Sequence, residues 1–240
     1  MIKQEMTEAL WWHKTDRGKI MCTLCPRYCE IGEGQPGFCY IRQNIDGKLY
    51  SLGYGKQTGF AIDPIEKKPF FHFFPGSTAF SVATAGCNFR CLNCQNYEIS
   101  QLPKDHDQIV GRDVEPEKIV GDALGSHCKS IAYTYTEPTI FFEYAYEIAK
   151  IASQKAIKNV FVTNGYITRE ALATIKPYLQ AANIDLKSFS SETYKKLCGA
   201  RLEHVLDCIR SYKEMGIWIE ITTLIIPEIN DSESELRQIA

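Results

Sequence analysis

An α/β fold with a parallel sheet closing part-way into a barrel is predicted by three features of this 240-residue chain. From residue 79 onward, short apolar runs recur, separated by stretches of helical periodicity. Strands separated by helices imply right-handed βαβ units, and hence a parallel sheet. A loop of closely spaced cysteines follows the first of these strands, where such sheets place their ligands.

The residues before the sheet read differently. Residues 1–18 are expected to form a short amphipathic helix ending near Asp16-Arg17-Gly18, with Trp11 and Trp12 along one edge. Residues 20–42 are rich in cysteine and glycine and show little periodicity. A hairpin follows, turned at Asp46-Gly47, a dipeptide suited to a tight two-residue turn. Asp63-Pro64-Ile65-Glu66-Lys67-Lys68-Pro69 reads as an irregular connection. Residues 1–75 are thus expected to form a cap of helix, cysteine-rich segment and hairpin, with the partial barrel in residues 76–240.

Five buried strands are expected at 79–83, 130–134, 159–163, 182–186 and 217–221. Phe141, Tyr144, Ala145, Ile148, Ala149 and Ala152 recur at helical spacing over 139–155. Leu202, Val205, Leu206 and Ile209 do the same over 202–214. Ser232-Glu233-Ser234-Glu235 matches a capping box and starts a last helix.

Composition narrows the function. The chain is 45% hydrophobic and 23% charged, as a globular core requires. A net charge of -2 and a pI near 6.2 give no electrostatic case for a nucleic-acid partner. No apolar run approaches the ~20 residues of a membrane helix, and the polar start lacks a signal-peptide core. A cytoplasmic location is expected. Ten cysteines are too few for a disulfide scaffold, and seven fall into two tight clusters, a distribution that suggests metal.

The sharper cluster is Cys87-Asn88-Phe89-Arg90-Cys91-Leu92-Asn93-Cys94, with C-x3-C-x2-C spacing. Iron–sulfur clusters are usually held by four thiolates. Three thiolates on a four-iron cluster leave one iron open to bind and react. A structural zinc would want a fourth ligand, and no histidine lies between Cys87 and Cys94.

This triple resembles the signature of the radical S-adenosylmethionine (SAM) superfamily. The resemblance implies a [4Fe-4S] cluster on Cys87, Cys91 and Cys94, whose open iron chelates SAM. It implies reductive cleavage to methionine and a 5′-deoxyadenosyl radical, which abstracts a hydrogen atom from a substrate. It also implies an electron donor of the flavodoxin or ferredoxin type and a partial, usually six-stranded, barrel. Ala240 lies one helix after the fifth strand, so the carboxy-terminal part is expected to be missing.

The same resemblance points to later strand ends as cofactor-binding. Glu137, in Thr134-Tyr135-Thr136-Glu137-Pro138, stands where the superfamily binds the SAM ammonium, and also reads as a helix-start acid. Asn164 lies in Thr163-Asn164-Gly165. Asp185 and Lys187 share one side of the fourth strand by alternation, and also read as a strand-end salt bridge. Glu220 and Thr222 would share a face of the fifth strand. Asn93 stands where an aromatic residue often seats the adenine.

A narrower resemblance is carried by Asp63-Pro64-Ile65-Glu66-Lys67-Lys68-Pro69, Phe74-Pro75-Gly76, Cys94-Gln95-Asn96-Tyr97-Glu98-Ile99-Ser100 and Glu137-Pro138-Thr139. Together they are similar to the AmmeMemoRadiSam system radical SAM enzymes, a group related to pyruvate formate-lyase activating enzyme. An enzyme acting on a small molecule or protein is expected. Alternatives are an activating enzyme that installs a glycyl radical on a partner, and a non-catalytic iron–sulfur or zinc protein.

The second cluster, Cys22, Cys25, Cys29 and Cys39, has C-x2-C-x3-C-x9-C spacing. Four thiolates suit a structural zinc or an auxiliary iron–sulfur cluster, and buried free cysteines are the plainer reading. Cys128, Cys198 and Cys208 are isolated and read as packed apolar residues. His72 reads as a packed histidine.

Overall fold

The computed structural model describes residues 6–240. Two small antiparallel sheets come first. In one, β1 (Thr7–Glu8) pairs with the hairpin of β5 (Arg42–Ile45) and β6 (Lys48–Ser51). In the other, β3 (Ile20–Cys22) lies between β2 (Trp12–Lys14) and β4 (Glu30–Ile31). Asp46 and Gly47 both take positive φ, 51° and 71°, as the predicted two-residue turn demands.

The expected first helix is therefore replaced by strands over the described residues 6–18. Asp16-Arg17-Gly18 is a hairpin turn rather than a helix end. Thr15 N donates to Lys19 O, Gly18 N donates to Thr15 O, and Gly18 has φ 71°. Pairing of Trp12 with Cys22 and of Lys14 with Ile20 gives the segment sheet partners that local propensity does not register. Residues 1–5 of the expected helix lie outside the described residues.

The main sheet contains β7 (Lys56–Pro64), β8 (Thr78–Thr84), β9 (Arg112–Asp113), β10 (Ser130–Tyr133), β11 (Lys158–Thr163), β12 (Ala181–Asp185) and β13 (Trp218–Thr222). Its order is β13-β12-β11-β10-β8-β7-β9. The five strands from β8 to β13 that form its parallel part neighbour one another in chain order. They coincide with the five apolar runs. β10 is buried throughout and β8 from Ala79 onward, which is why both read as continuous apolar stretches rather than alternating ones.

Helices fill the crossovers. α1 (Tyr97–His106) and α2 (Pro116–Gly125) lie between β8 and β10, and α3 (Phe142–Gln154) between β10 and β11. α4 (Arg169–Ile175) precedes β12, α5 (Ser191–Cys198) and α6 (Leu202–Glu214) precede β13, and α7 (Glu233–Ile239) follows it. The Ser232 side chain accepts from Glu235 N at the head of α7, the predicted cap.

One face of the sheet packs Phe80, Ile131, Tyr133, Phe161, Ala182 and Ile184 into the large core that holds the α3 residues. The opposite face carries small residues, among them Ala79, Ala132 and Ala181, with Ile65 and Phe70 packed on it. No described helix is long and apolar enough to cross a membrane.

Two features depart from the expected division at residue 75. β7 belongs to the main sheet, running antiparallel to β8 with a register shift between Gln57 and Gly59. The amino-terminal strands are also bolted to α3 by a buried ion pair. Arg42 Nη1 donates to Glu143 Oε1 at 2.9 Å, with side chains 2% and 6% exposed. Leu10 N donates to the same oxygen at 2.8 Å, and Arg42 Nη2 donates to Leu10 O. Burial works against the Arg42 charge, and Glu143 beside it more than restores it. Replacing Glu143 by alanine leaves a buried cation unpaired, so Glu143→Ala should cost about 3–5 kcal/mol in urea unfolding.

Candidate active site

The carboxyl ends of the parallel strands surround a cavity of about 520 Å³. Cys87, Cys91 and Cys94 all line it, together with Asn164, Asp185 and Lys187. Residues 85–96 leave β8 as a loop with little regular structure. Gly86 starts it at φ 99°, and a Cβ there would stand 2.5 Å from Ile41 Cγ1. Only glycine combines that backbone with that approach.

The loop is gripped from several sides. Arg90 N and Leu92 N donate to the carbonyls of Cys198 and Leu197, at 3.1 and 2.9 Å. These are carbonyls from the last turn of α5, which lack partners within the helix. Arg27 reaches from the amino-terminal region, with Nε on Asn88 O at 3.0 Å and Nη2 on Gly199 O at 2.6 Å. Asn88 Nδ2 donates to Tyr166 O at 2.9 Å, and Gln101 and Lys104 of α1 both donate to Phe89 O. The thiols are therefore held by backbone contacts that do not depend on any bound group.

Each sulfur has its own surroundings. Phe89 N donates to Cys87 Sγ at 3.3 Å, and Asn164 Nδ2 lies 3.7 Å from the same sulfur. Ser100 Oγ meets Cys94 Sγ at 3.3 Å. Cys198, read from the sequence as isolated, shares a hydrogen bond with Cys91 that holds the Cys91 thiol protonated, and burial adds to this. Burial, with the nearby Glu137 carboxylate, pushes the Cys87 thiol up to about 12. Neutral thiols are the resting state of such buried groups. A bound metal converts them to thiolates.

Glu137 occupies a different place from the one expected. It is fully buried and is not among the residues on the cavity wall. Its carboxylate accepts from Thr139 N at 3.0 Å, Thr139 Oγ1 at 2.6 Å, Thr163 Oγ1 at 2.8 Å and Asn164 N at 2.8 Å. It caps the short 3-10 turn Pro138–Phe141 and ties the end of β11 to it. Burial raises its pKa, against the hydrogen bonds that lower it. With four protein donors already on its oxygens, it stands one layer behind Thr163 and Asn164, which do line the cavity.

Asn164 is the residue through which this layer reaches the cysteines. Its Nδ2 donates to Asn88 Oδ1 at 2.8 Å, and its Oδ1 accepts from Tyr166 N at 3.1 Å. Asp185 and Lys187 form an ion pair at 2.9 Å on the cavity wall, so the strand-end salt bridge and the cavity-facing pair are the same feature. Burial opposes the Lys187 charge, and Asp185 more than offsets it. Thr222 lines the cavity, whereas Glu220 accepts from Phe71 N and His72 N instead. His72 is exposed, with a 77% accessible side chain, and is not the packed histidine expected. Asn93 lines the cavity, and its Oδ1 is buried without a partner in the protein.

A residue set missed by the sequence reading stands on the wall between β7 and β10. Lys68, 3% exposed, donates to Asp63 Oδ2 at 2.8 Å and to Tyr135 Oη at 3.1 Å. Lys67 adds a second contact to Asp63 at 3.0 Å.

Residues 81–239 match the family model of the Radical SAM superfamily. The chain belongs to the radical SAM superfamily. It is 48% identical over 231 residues to an uncharacterized protein of Methanocaldococcus jannaschii, covering 96% of this chain and 68% of that one. A candidate glycyl-radical enzyme activating enzyme of the same organism is 27% identical over 168 residues, 68% of this chain and 62% of that one. The chain thus spans about two thirds of these relatives. The crystal structure of a radical SAM methyltransferase from Sphaerobacter thermophilus superposes with TM-score 0.52 at 14% identity, over 70% of this chain and 53% of that one, a likeness of fold. A [4Fe-4S] cluster and SAM are the cofactors of this superfamily, and three thiols on the wall of a cavity at the sheet's carboxyl end suit such a pair.

The Lys68 and Lys67 contacts, against a weaker cost of burial, hold the Asp63 carboxyl down at about 2. A depressed carboxylate stabilises the fold above its unfolded pKa, near ~3.9, and the stabilisation is lost as pH falls toward about 2. The wild type should therefore lose about 2 kcal/mol more than Asp63→Asn between pH 5 and pH 2, measured by denaturant unfolding at each pH.

Proposed function

We propose that this chain is a radical SAM enzyme in which Cys87, Cys91 and Cys94 hold the [4Fe-4S] cluster. The observation that carries the reading is the convergence of these thiols with Asn164, Asp185 and Lys187 on one cavity at the strand ends. When bound, the reduced cluster and SAM supply the reductive C–S cleavage that yields methionine and a hydrogen-abstracting 5′-deoxyadenosyl radical.

The residues of the chain bind, orient and exclude water. The backbone of Thr134-Tyr135-Thr136 offers carbonyl oxygens at the cavity wall for the SAM ammonium, and Glu137 acts behind it as a positioning group. Lys187 offers a donor to a carboxylate, with Asp185 fixing its direction. Asn93 gives adenine an amide, which can pair with both the amino group and a ring nitrogen of that base. Strands that follow one another around the sheet without reversal favour the partial barrel, with the amino-terminal sheets as its cap. An electron donor of the flavodoxin or ferredoxin type is required to reduce the cluster.

Two substrate classes fit the same site. Likeness to an activating enzyme supports a glycyl-radical protein. A cavity of about 520 Å³ supports a small molecule, because that volume lies within the range of ligand pockets.

The test is anaerobic reconstitution, dithionite reduction and addition of SAM. Formation of 5′-deoxyadenosine is expected, and Cys91→Ala should abolish it. Cluster-loaded protein that makes none would overturn the enzymatic reading. Asn164→Ala should weaken SAM binding by at least tenfold in equilibrium dialysis, since it removes a polar side chain from the cavity wall, and should keep the iron content, since the α5 carbonyls and Arg27 still hold the cysteine loop.

A further inference from the structure

The second cysteine group is not used by this chemistry, and it has a built environment of its own. Cys22, Cys25, Cys29 and Cys39 all line one small cavity, together with Arg27 and Arg42. They come from separate pieces of chain: the end of β3, the turn after it, the approach to β4 and the turn before β5. Four thiols gathered from such a length of chain are not a by-product of helix or strand spacing.

The backbone around them is arranged as it is around Cys87. In the catalytic loop the N–H of Phe89, two residues on, donates to Cys87 Sγ. The same two-residue relation recurs in sequence here, where the backbone N–H groups of Arg27 and Ile41 lie near Cys25 and Cys39 and favour their thiolates. Phe38 N donates to Cys29 Sγ at 3.4 Å. Tyr28 and Tyr40, each next to a cysteine, take positive φ of 45° and 60°. Non-glycine residues in that region carry strain, held here by the surrounding turns. Backbone N–H groups aimed at sulfur stabilise thiolate and tune the metal it binds.

Charge points the same way. Four thiolates exceed the charge of the metal they hold, so the site needs nearby cations. Arg42 is 2% exposed and pairs with Glu143 through Nη1, while its Nε is buried with no partner in the protein. Arg27 contacts backbone carbonyls and the faces of Phe38 and Tyr166, and no ion pair to a carboxylate is found for it among the described residues.

Likeness to the Cys87 loop selects the kind of centre: in both places a backbone N–H is aimed at a cysteine sulfur, from Phe89 onto Cys87 and from Phe38 onto Cys29. We infer that Cys22, Cys25, Cys29 and Cys39 hold an auxiliary iron–sulfur cluster. It lies beside the catalytic loop, because Asn88 lines its pocket while Cys87 lines the main cavity.

The test isolates the second site. The Cys87→Ala/Cys91→Ala/Cys94→Ala variant is reconstituted anaerobically with ferrous iron and sulfide, and iron, sulfide and zinc are counted alongside circular dichroism. About four iron and four sulfide per chain are expected, against about eight of each in the wild type. Adding Cys25→Ser and Cys39→Ser should reduce both counts at least fivefold. A wild type saturating at about four iron overturns the inference, as does a folded triple variant that carries zinc or no metal.

Discussion

A single buried carboxylate sets the geometry of the candidate site. Glu137 has no access to solvent, yet it receives four hydrogen bonds from the ends of two neighbouring strand connections. An unpaired carboxylate in that position would be strongly disfavoured. The four donors are therefore locked to it as firmly as it is to them. Thr163 and Asn164 are held at the end of β11, and Asn164 in turn fixes Asn88 and lies against Cys87. The acid contributes by fixing the neighbours that face the cavity, without facing it.

The cysteine loop is then closed from the other side by groups far apart in sequence. The last carbonyls of α5 accept from Arg90 and Leu92, and Arg27 bridges Asn88 to Gly199. Helix-end carbonyls need partners outside the helix, and the loop supplies N–H groups that need acceptors. Each satisfies the other. This explains how a segment with little regular structure presents three sulfurs in a fixed arrangement, and why Gly86 must let Ile41 come so close.

Much of this was legible in the sequence. The parallel strands were visible because burial on both faces writes continuous apolar runs, as in Ser130-Ile131-Ala132-Tyr133. The α7 cap at Ser232 and the Asp46-Gly47 turn carry local chemistry that decides their geometry. β7 was not legible: its alternation is interrupted near Gly59, and Phe60 and Ile62 are exposed, 66% and 49%. The strands around Trp12 depend on pairing partners beyond any local window. Glu137 was legible as a helix-start acid, and it caps the Pro138–Phe141 turn; its four donors were not, since a sequence does not show how many donors meet a carboxylate. Cys198 meets Cys91 only because α5 folds back over the loop.

The proposed chemistry requires one iron of a three-thiolate cluster to be open to SAM within this cavity. Electron paramagnetic resonance of the dithionite-reduced protein, recorded with and without SAM, tests that directly. Binding of SAM at the open iron should change the reduced cluster's spectrum in the wild type, and this SAM-responsive signal should be lost in Cys91→Ala, whose remaining signal from the amino-terminal cluster should not respond to SAM. A wild-type cluster whose spectrum is unaltered by saturating SAM would contradict it.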